Sequence, residues 1–123
     1  AHPDPLENIK IYTYILETSP ENAYAYVNRG ICYRMVFDYA KSVADFDHAE
    51  QLGMKTPYLW MNRAMAYISL REYDKAMTDL QSWVKSGQIK VPEDILDGLE
   101  NTPKALIGLL AGDNFGKRMV RVS

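Results

Sequence analysis

Apolar residues recur at three- and four-residue spacing along the first two-thirds of this chain. Leu6, Ile9, Tyr12, Ile15 and Leu16 make one apolar stripe, which predicts a helix from just after Pro5 to about Thr18. Ser19-Pro20-Glu21-Asn22 stops it and opens a second helix, expected from about Glu21 to Val36. A third is expected from Tyr39 to Gln51, with Gly53 as its C-terminal cap. Thr56 then reads as an N-cap and Pro57 as the first helical residue of a fourth helix reaching about Leu70. A fifth spans about Tyr73 to Lys85. The connections Phe37-Asp38 and Arg71-Glu72 are short, as antiparallel helix hairpins require.

The pattern repeats. Adding 34 to Tyr24, Asn28, Arg29, Tyr33, Tyr39, Lys41 and Asp45 lands on Tyr58, Asn62, Arg63, Tyr67, Tyr73, Lys75 and Asp79. Each pair is identical in residue type. Tyr26/Trp60, Gly30/Ala64, Asp38/Glu72, Val43/Met77 and Phe46/Leu80 are near-matches at the same offset. A fixed period of this size marks a stacked repeat, in which no unit buries its apolar face alone. Gly30 and Ala64 are small where the two helices of a hairpin would cross. Tyr26, Tyr33, Trp60 and Tyr67 flank them on one helix face, and Phe46, Ala49, Leu80 and Trp83 form the answering face. Aromatics at helical spacing are read first as core.

These residues resemble the tetratricopeptide repeat family over about residues 5 to 86, as one half-unit and two full units. Ser42 stands where alanine is usual, and Arg29 and Arg63 stand where leucine is usual. The resemblance implies a mainly α fold of TPR-like antiparallel helix hairpins, about five helices in all. It also implies a groove lined by the first helix of each hairpin, into which Tyr24, Val27, Asn28, Ile31, Tyr58, Met61, Asn62 and Met65 would face. A peptide or protein is the implied partner, with Asn28 and Asn62 hydrogen-bonding its backbone. No lysine-rich clamp for a C-terminal carboxylate is evident, because Val27 and Ile31 occupy places where charge would be expected.

After Gly87 the pattern changes. Gln88-Ile89-Lys90-Val91 is extended in character, and Arg118-Met119-Val120-Arg121-Val122 alternates like a strand. Between them Thr102-Pro103 caps and opens a short helix that Gly112 closes. Asp94 to Leu99 fits either a strand or a helix, with strand preferred. A strand–helix–strand tail is not the polar-faced helix that normally ends a repeat array. From about Trp83 to Val122 this tail resembles the C-terminal end of medium-chain NADP-dependent reductases of the zinc-free, leukotriene/prostaglandin reductase-like type. The residues are Trp83-Val84-Lys85-Ser86-Gly87-Gln88-Ile89-Lys90, Asp97-Gly98-Leu99-Glu100-Asn101 and Gly108 to Lys117. In that family an asparagine at the position of Asn114 lies close to the cofactor. The two resemblances divide the chain into residues 1–87 and 88–123 and meet inside one helix. Natural domain boundaries fall in exposed linkers, so a recombined or engineered chimera is expected over a natural fusion.

Composition changes this picture little. The 123 residues carry a net charge of -2, with 47% hydrophobic and 24% charged residues, which is ordinary for a globular chain. Nothing there argues for nucleic acid or anionic lipid. No apolar run approaches the roughly 20 residues of a membrane span. One cysteine, Cys32, forms no internal disulfide, which mildly favours a reducing, cytoplasmic setting, with processed export left open.

The chemistry-bearing residues are sparse. No G-x-G-x-x-G turn is present to seat a dinucleotide, so no hydride-transfer activity, no cofactor and no enzyme are expected. Asn114 reads as a turn residue in Gly-Asp-Asn. Asp45 and His48 sit three apart and share a helix face, without the further ligands a metal needs. Cys32 is read as a small buried hydrophobe. Glu93, Asp94, Asp97 and Glu100 are read as solvated charge, and His2 lies near the N-terminus. The expectation is therefore a non-catalytic repeat scaffold or binding module. Its tail would either cap the repeats or pair with a second copy in a homodimer.

Overall fold

The computed structural model describes residues 4–86, 89–90 and 120–121. Helices dominate them: α1 (Pro5–Thr18), α2 (Ala23–Met35), α3 (Tyr39–Gln51), α4 (Pro57–Ser69) and α5 (Tyr73–Lys85). Two short strands, β1 (Ile89–Lys90) and β2 (Val120–Arg121), pair antiparallel, with Ile89 opposite Arg121 and Lys90 opposite Val120. The fold is mainly α. The expected strand at 94–99 and helix at 104–112 lie outside the described residues.

The 34-residue offset is a structural repeat as well as a sequence one. α1, α3 and α5 begin at Pro5, Tyr39 and Tyr73, each 34 after the last, and α2 and α4 begin at Ala23 and Pro57. The N-caps recur in the same register. Asn22 and Thr56 accept from the amides of Ala25 and Leu59, and Asp4 and Asp38 accept from Leu6 and Lys41. Each cap satisfies an amide that the first helical turn leaves without a partner. Because Asn22 is the cap, α2 starts two residues after the expected Glu21.

The hairpin turns explain where α2 and α4 stop. Phe37 and Arg71 both adopt a left-handed backbone, at φ 66 and φ 61. The Phe37 amide donates to the Arg34 carbonyl at 3.0 Å and the Asp38 amide to the Tyr33 carbonyl at 2.9 Å. Arg71 and Glu72 repeat this with Ile68 and Tyr67 at 3.0 and 2.9 Å. This paired closure is the Schellman arrangement, in which a left-handed residue returns amides to the last carbonyls. Val36 and Leu70 therefore fall outside their helices as C-caps. Gly53, at φ 100, closes α3 the same way, and there the sequence signal was visible.

Two compact units make up the chain, Ala1–Lys55 and Thr56–Ser123, and the division falls immediately before the Thr56 cap. In the first unit α1 and α3 both pack on α2. Tyr26 meets His48, Arg29 meets Asp45 and Tyr33 meets Lys41, so α2 and α3 run antiparallel. In the second unit α4 and α5 pack together, with Arg63 on Asp79 and Lys75 over Tyr67 in the same register. Phe46, Ala49, Leu80 and Trp83, assigned to the answering faces from sequence, are all buried. Burying such large apolar groups supplies the main driving force, about 1.5–3 kcal/mol for each fully buried side chain.

Candidate functional site

Each hairpin carries the same two features on its first helix: an exposed tyrosine in the first turn and an arginine further on, half-buried at Arg29 and buried at Arg63. Tyr24 is 74% exposed and Tyr58 is 56% exposed. Both sit one residue inside their helix start, where the caps Asn22 and Thr56 fix the backbone. An exposed aromatic in the first turn adds nothing to the core of its own hairpin. Its repetition at a fixed offset makes it a surface feature common to both hairpins.

The remaining expected groove residues divide by burial. Asn28 and Ile31 on α2, and Met61 and Met65 on α4, are partly exposed. Val27 and Asn62 are buried. The Asn62 amide group donates to the Tyr58 carbonyl at 2.8 Å, which ties its side chain to its own helix. The accessible expected residues are thus Tyr24, Asn28 and Ile31 on α2 and Tyr58, Met61 and Met65 on α4.

Arg29 is half-buried and Arg63 buried, and the structure shows why charge is tolerated there. Arg29 donates from Nε to Asp45 Oδ2 at 2.8 Å and from Nη2 to Oδ1 at 2.7 Å. Arg63 makes the same two-pronged contact with Asp79, at 2.8 Å for both bonds. This fork-on-fork geometry is the strongest arrangement open to a guanidinium and a carboxylate. Arg29 also donates to Thr13 Oγ1 of α1 at 3.2 Å, and its guanidinium lies 5.7 Å from the ring centres of both Tyr26 and Tyr33. The hydrogen bond to Asp45 raises the Arg29 pKa further, against the opposing effect of burial. Both arginines are structural clasps between the helices of a hairpin. The signal was present in the sequence, since arginine and aspartate recur together at the 34-residue offset with the same 16-residue separation.

That clasp settles the Asp45–His48 question. Asp45 faces Arg29 across the hairpin. His48 lies flat on Tyr26, with ring centres 4.0 Å apart and planes inclined by 16°. Among the described residues no group of three or more His, Cys, Asp or Glu side chains gathers as metal ligands would. Cys32 is buried, and desolvation pushes its thiol pKa up, away from the thiolate a nucleophile needs. His2, Glu93, Asp94, Asp97, Glu100 and Asn114 lie outside the described residues. No described helix is long and apolar enough to cross a membrane.

Comparison with known proteins adds a second strand of evidence. No family model matches the chain. Short stretches match medium-chain NADP-dependent reductases. The chain is 51% identical over 45 residues to an NADPH-dependent curcumin reductase of Escherichia coli, covering 37% of the chain and 13% of that protein. It is 49% identical over 46 residues to prostaglandin reductase 1 of Rattus norvegicus, covering 37% of the chain and 14% of the relative. A putative NADP-dependent oxidoreductase of Bacillus subtilis is 43% identical over 44 residues, covering 36% and 13%. The chain thus spans about one-seventh of the length of the reductases it matches.

Proposed function

We propose that this chain is a non-catalytic helical-repeat module of tetratricopeptide-like hairpins that binds a peptide or protein segment through the first helices of its hairpins. The observation that carries this reading is the recurrence of whole interactions at one offset: caps, left-handed turns, arginine–aspartate clasps and exposed tyrosines. Repeats of this kind present successive helix faces to a partner, and exposed tyrosine supplies a large, rigid contact area at low entropic cost. Tyr24, with Asn28 and Ile31 beside it, and Tyr58, with Met61 and Met65 beside it, would each anchor a partner on its own helix.

The reductase-like stretch is read as a joined piece. The segment from Trp83 to Val122, about 40 residues, is close in length to the stretches shared with the reductases. No glycine-rich turn accompanies it in the sequence, so the cofactor seat that hydride transfer requires is not supplied by these residues. The join inside a helix favours a recombined or engineered origin over a natural fusion.

Selection of a random peptide library on the whole chain tests the binding reading. Bound peptides should be lost when Tyr24 and Tyr58 are both changed to alanine, with the helical circular dichroism unchanged. Peptides that bind the double variant equally well would sink it. Calorimetric titration with millimolar NADP tests the alternative that a cofactor-contacting remnant survives, and measurable heat would support that alternative. Removal of residues 101–123 should lower the melting temperature if the tail caps the repeats. A dimer that becomes monomeric on truncation would make the tail an assembly device instead.

A further inference from the structure

Methionine separates the two hairpins at matched positions. Val27, Ile31 and Val43 of the first hairpin become Met61, Met65 and Met77 in the second, at the 34-residue offset. The three methionines differ in their surroundings. Met77 lies in the core at 8% exposure, whereas Met61 and Met65 are part-exposed. With the exposed Tyr58 they fall at i, i+3 and i+7 of α4, which sets all three on one helix face. Asn62 beside them is buried and bonded to the Tyr58 carbonyl. The accessible strip of α4 is thus built from one phenol and two thioethers.

Thioethers bring a chemistry that valine and isoleucine lack. They are flexible and polarizable, and a mild oxidant converts them to polar sulfoxides. With a hydroperoxide, a sulfur lone pair attacks one peroxide oxygen and the O–O bond breaks as the S–O bond forms. The proton of the attacked oxygen passes to the departing one, which leaves as water or an alcohol. Sulfur is oxidised by two electrons and the peroxide is reduced by two. A dithiol-dependent sulfoxide reductase reverses the change: the oxygen leaves as water and the thiols close to a disulfide. We propose that Met61 and Met65 form a reversible oxidation site that switches the α4 strip from an apolar to a polar contact surface and so releases an apolar partner segment. The release, though not the oxidation, rests on the peptide-binding reading above. Two sulfoxides would bring strong acceptors into an apolar contact that offers them no donors. Met77 is shielded in the core, so the surface changes while the fold is kept.

Limited treatment of the full chain with hydrogen peroxide tests it. A Met35→Leu background removes the most exposed of the described methionines, which lies outside the strip. Peptide mapping by mass spectrometry should find Met61 and Met65 oxidised about tenfold faster than Met77, with the helical circular dichroism unchanged. Retention on a phenyl column should fall, and return after treatment with sulfoxide reductases for both sulfur epimers. Most of that fall should be missing in Met61→Leu/Met65→Leu, since leucine fills similar volume without sulfur. Peptides selected from a random library on the reduced chain should bind the oxidised chain about tenfold more weakly. That ratio, read within each chain, should drop to about one in the leucine double variant. Met77 oxidised as fast as the strip, or helical signal lost with strip oxidation, would overturn the proposal, because oxidation would then be damage to the core. Retention that does not change, or changes equally in the leucine variant, would overturn it too. So would selected peptides that bind both forms alike. Failure to select any peptide would sink the binding reading and the release with it, while mapping and retention would still decide the oxidation site.

Discussion

The hairpin of α2 and α3 and the hairpin of α4 and α5 share a register, a clasp and a turn, yet they differ in how tightly each device is made. The clasp of the second hairpin is the drier one. The side chains of Arg63 and Asp79 are 8% and 5% exposed, against 18% and 8% for Arg29 and Asp45. The crossing differs too. The first hairpin sets Gly30 against Phe46, and the second sets Ala64 at the equivalent position with Leu80 in place of the phenylalanine. One interface can thus be built from a small residue facing a large one or from two of middling size, provided the summed volume is kept. A shared backbone plan tolerates local exchange where the exchange is compensated nearby.

The clasps give the largest expected contrast. Replacing Asp79 with alanine removes the paired carboxylate from a nearly buried guanidinium, and loss of one partner of such a pair costs about 3–5 kcal/mol. Replacing Asp45 should cost less, about 1–3 kcal/mol, because Arg29 is nearer to water. Urea titration of the two variants measures both losses. Equal losses would mean that burial does not distinguish the clasps.

The crossing comes next. A Cβ added at Gly30 would stand 3.1 Å from Phe46 Cε1 and 3.2 Å from the Ser42 carbonyl oxygen. Alanine there should forfeit the roughly 1 kcal/mol of helix propensity it would otherwise gain, and overpacking should add a cost of about 1–3 kcal/mol. In a Phe46→Leu background, which copies the second hairpin, Gly30→Ala should become much less harmful. The double-mutant cycle measures this coupling. Additive effects would show that the two hairpins do not exchange volume between these positions.

Most of this architecture was legible in the sequence. α3 and α5 were bounded correctly, because Asp38 and Glu72 precede tyrosines at a fixed offset and α3 is followed by Gly53. The ends of α2 and α4 were overrun by one residue. Their stop signal is a left-handed phenylalanine and a left-handed arginine, and no side-chain preference announces either. The clasps were missed for a different reason. An arginine alone signals no clasp, and only the aspartate that recurs 16 residues after each one marks it. The exposure of the residues expected to line a groove was half legible. Tyr24 and Tyr58 are open to a partner, but burial claims Val27 and Asn62, and burial depends on contacts that helical spacing alone does not contain.

Those left-handed turns provide a third test. A non-glycine residue in this conformation costs about 1–2 kcal/mol, part of which glycine recovers despite its greater freedom in the unfolded chain. Arg71→Gly should therefore stabilise the chain by up to about 1 kcal/mol. Phe37→Gly should gain less, because Phe37 makes an edge contact with Tyr39 at 6.4 Å between ring centres. Thermal melting of the two variants ranks them, and destabilisation by both would contradict the strain argument.

The smallest expected effect concerns the caps. Asp4 and Asp38 accept a hydrogen bond at the starts of α1 and α3, whereas Glu72, at the equivalent position before α5, makes no side-chain cap bond. The extra methylene of glutamate carries its carboxylate past the amides of the first turn, and its oxygen lies 3.5 Å from Lys75 Nζ instead. That pair is solvent-exposed and contributes little. Glu72→Asp should restore the cap seen before α3 and add about 0.5–1 kcal/mol to stability, with the net charge unchanged. The converse change, Asp38→Glu, should remove a similar amount from the first hairpin. Chemical denaturation of both variants decides the matter, for if neither shifts the midpoint, the difference between the two hairpin starts is one of geometry without energetic consequence.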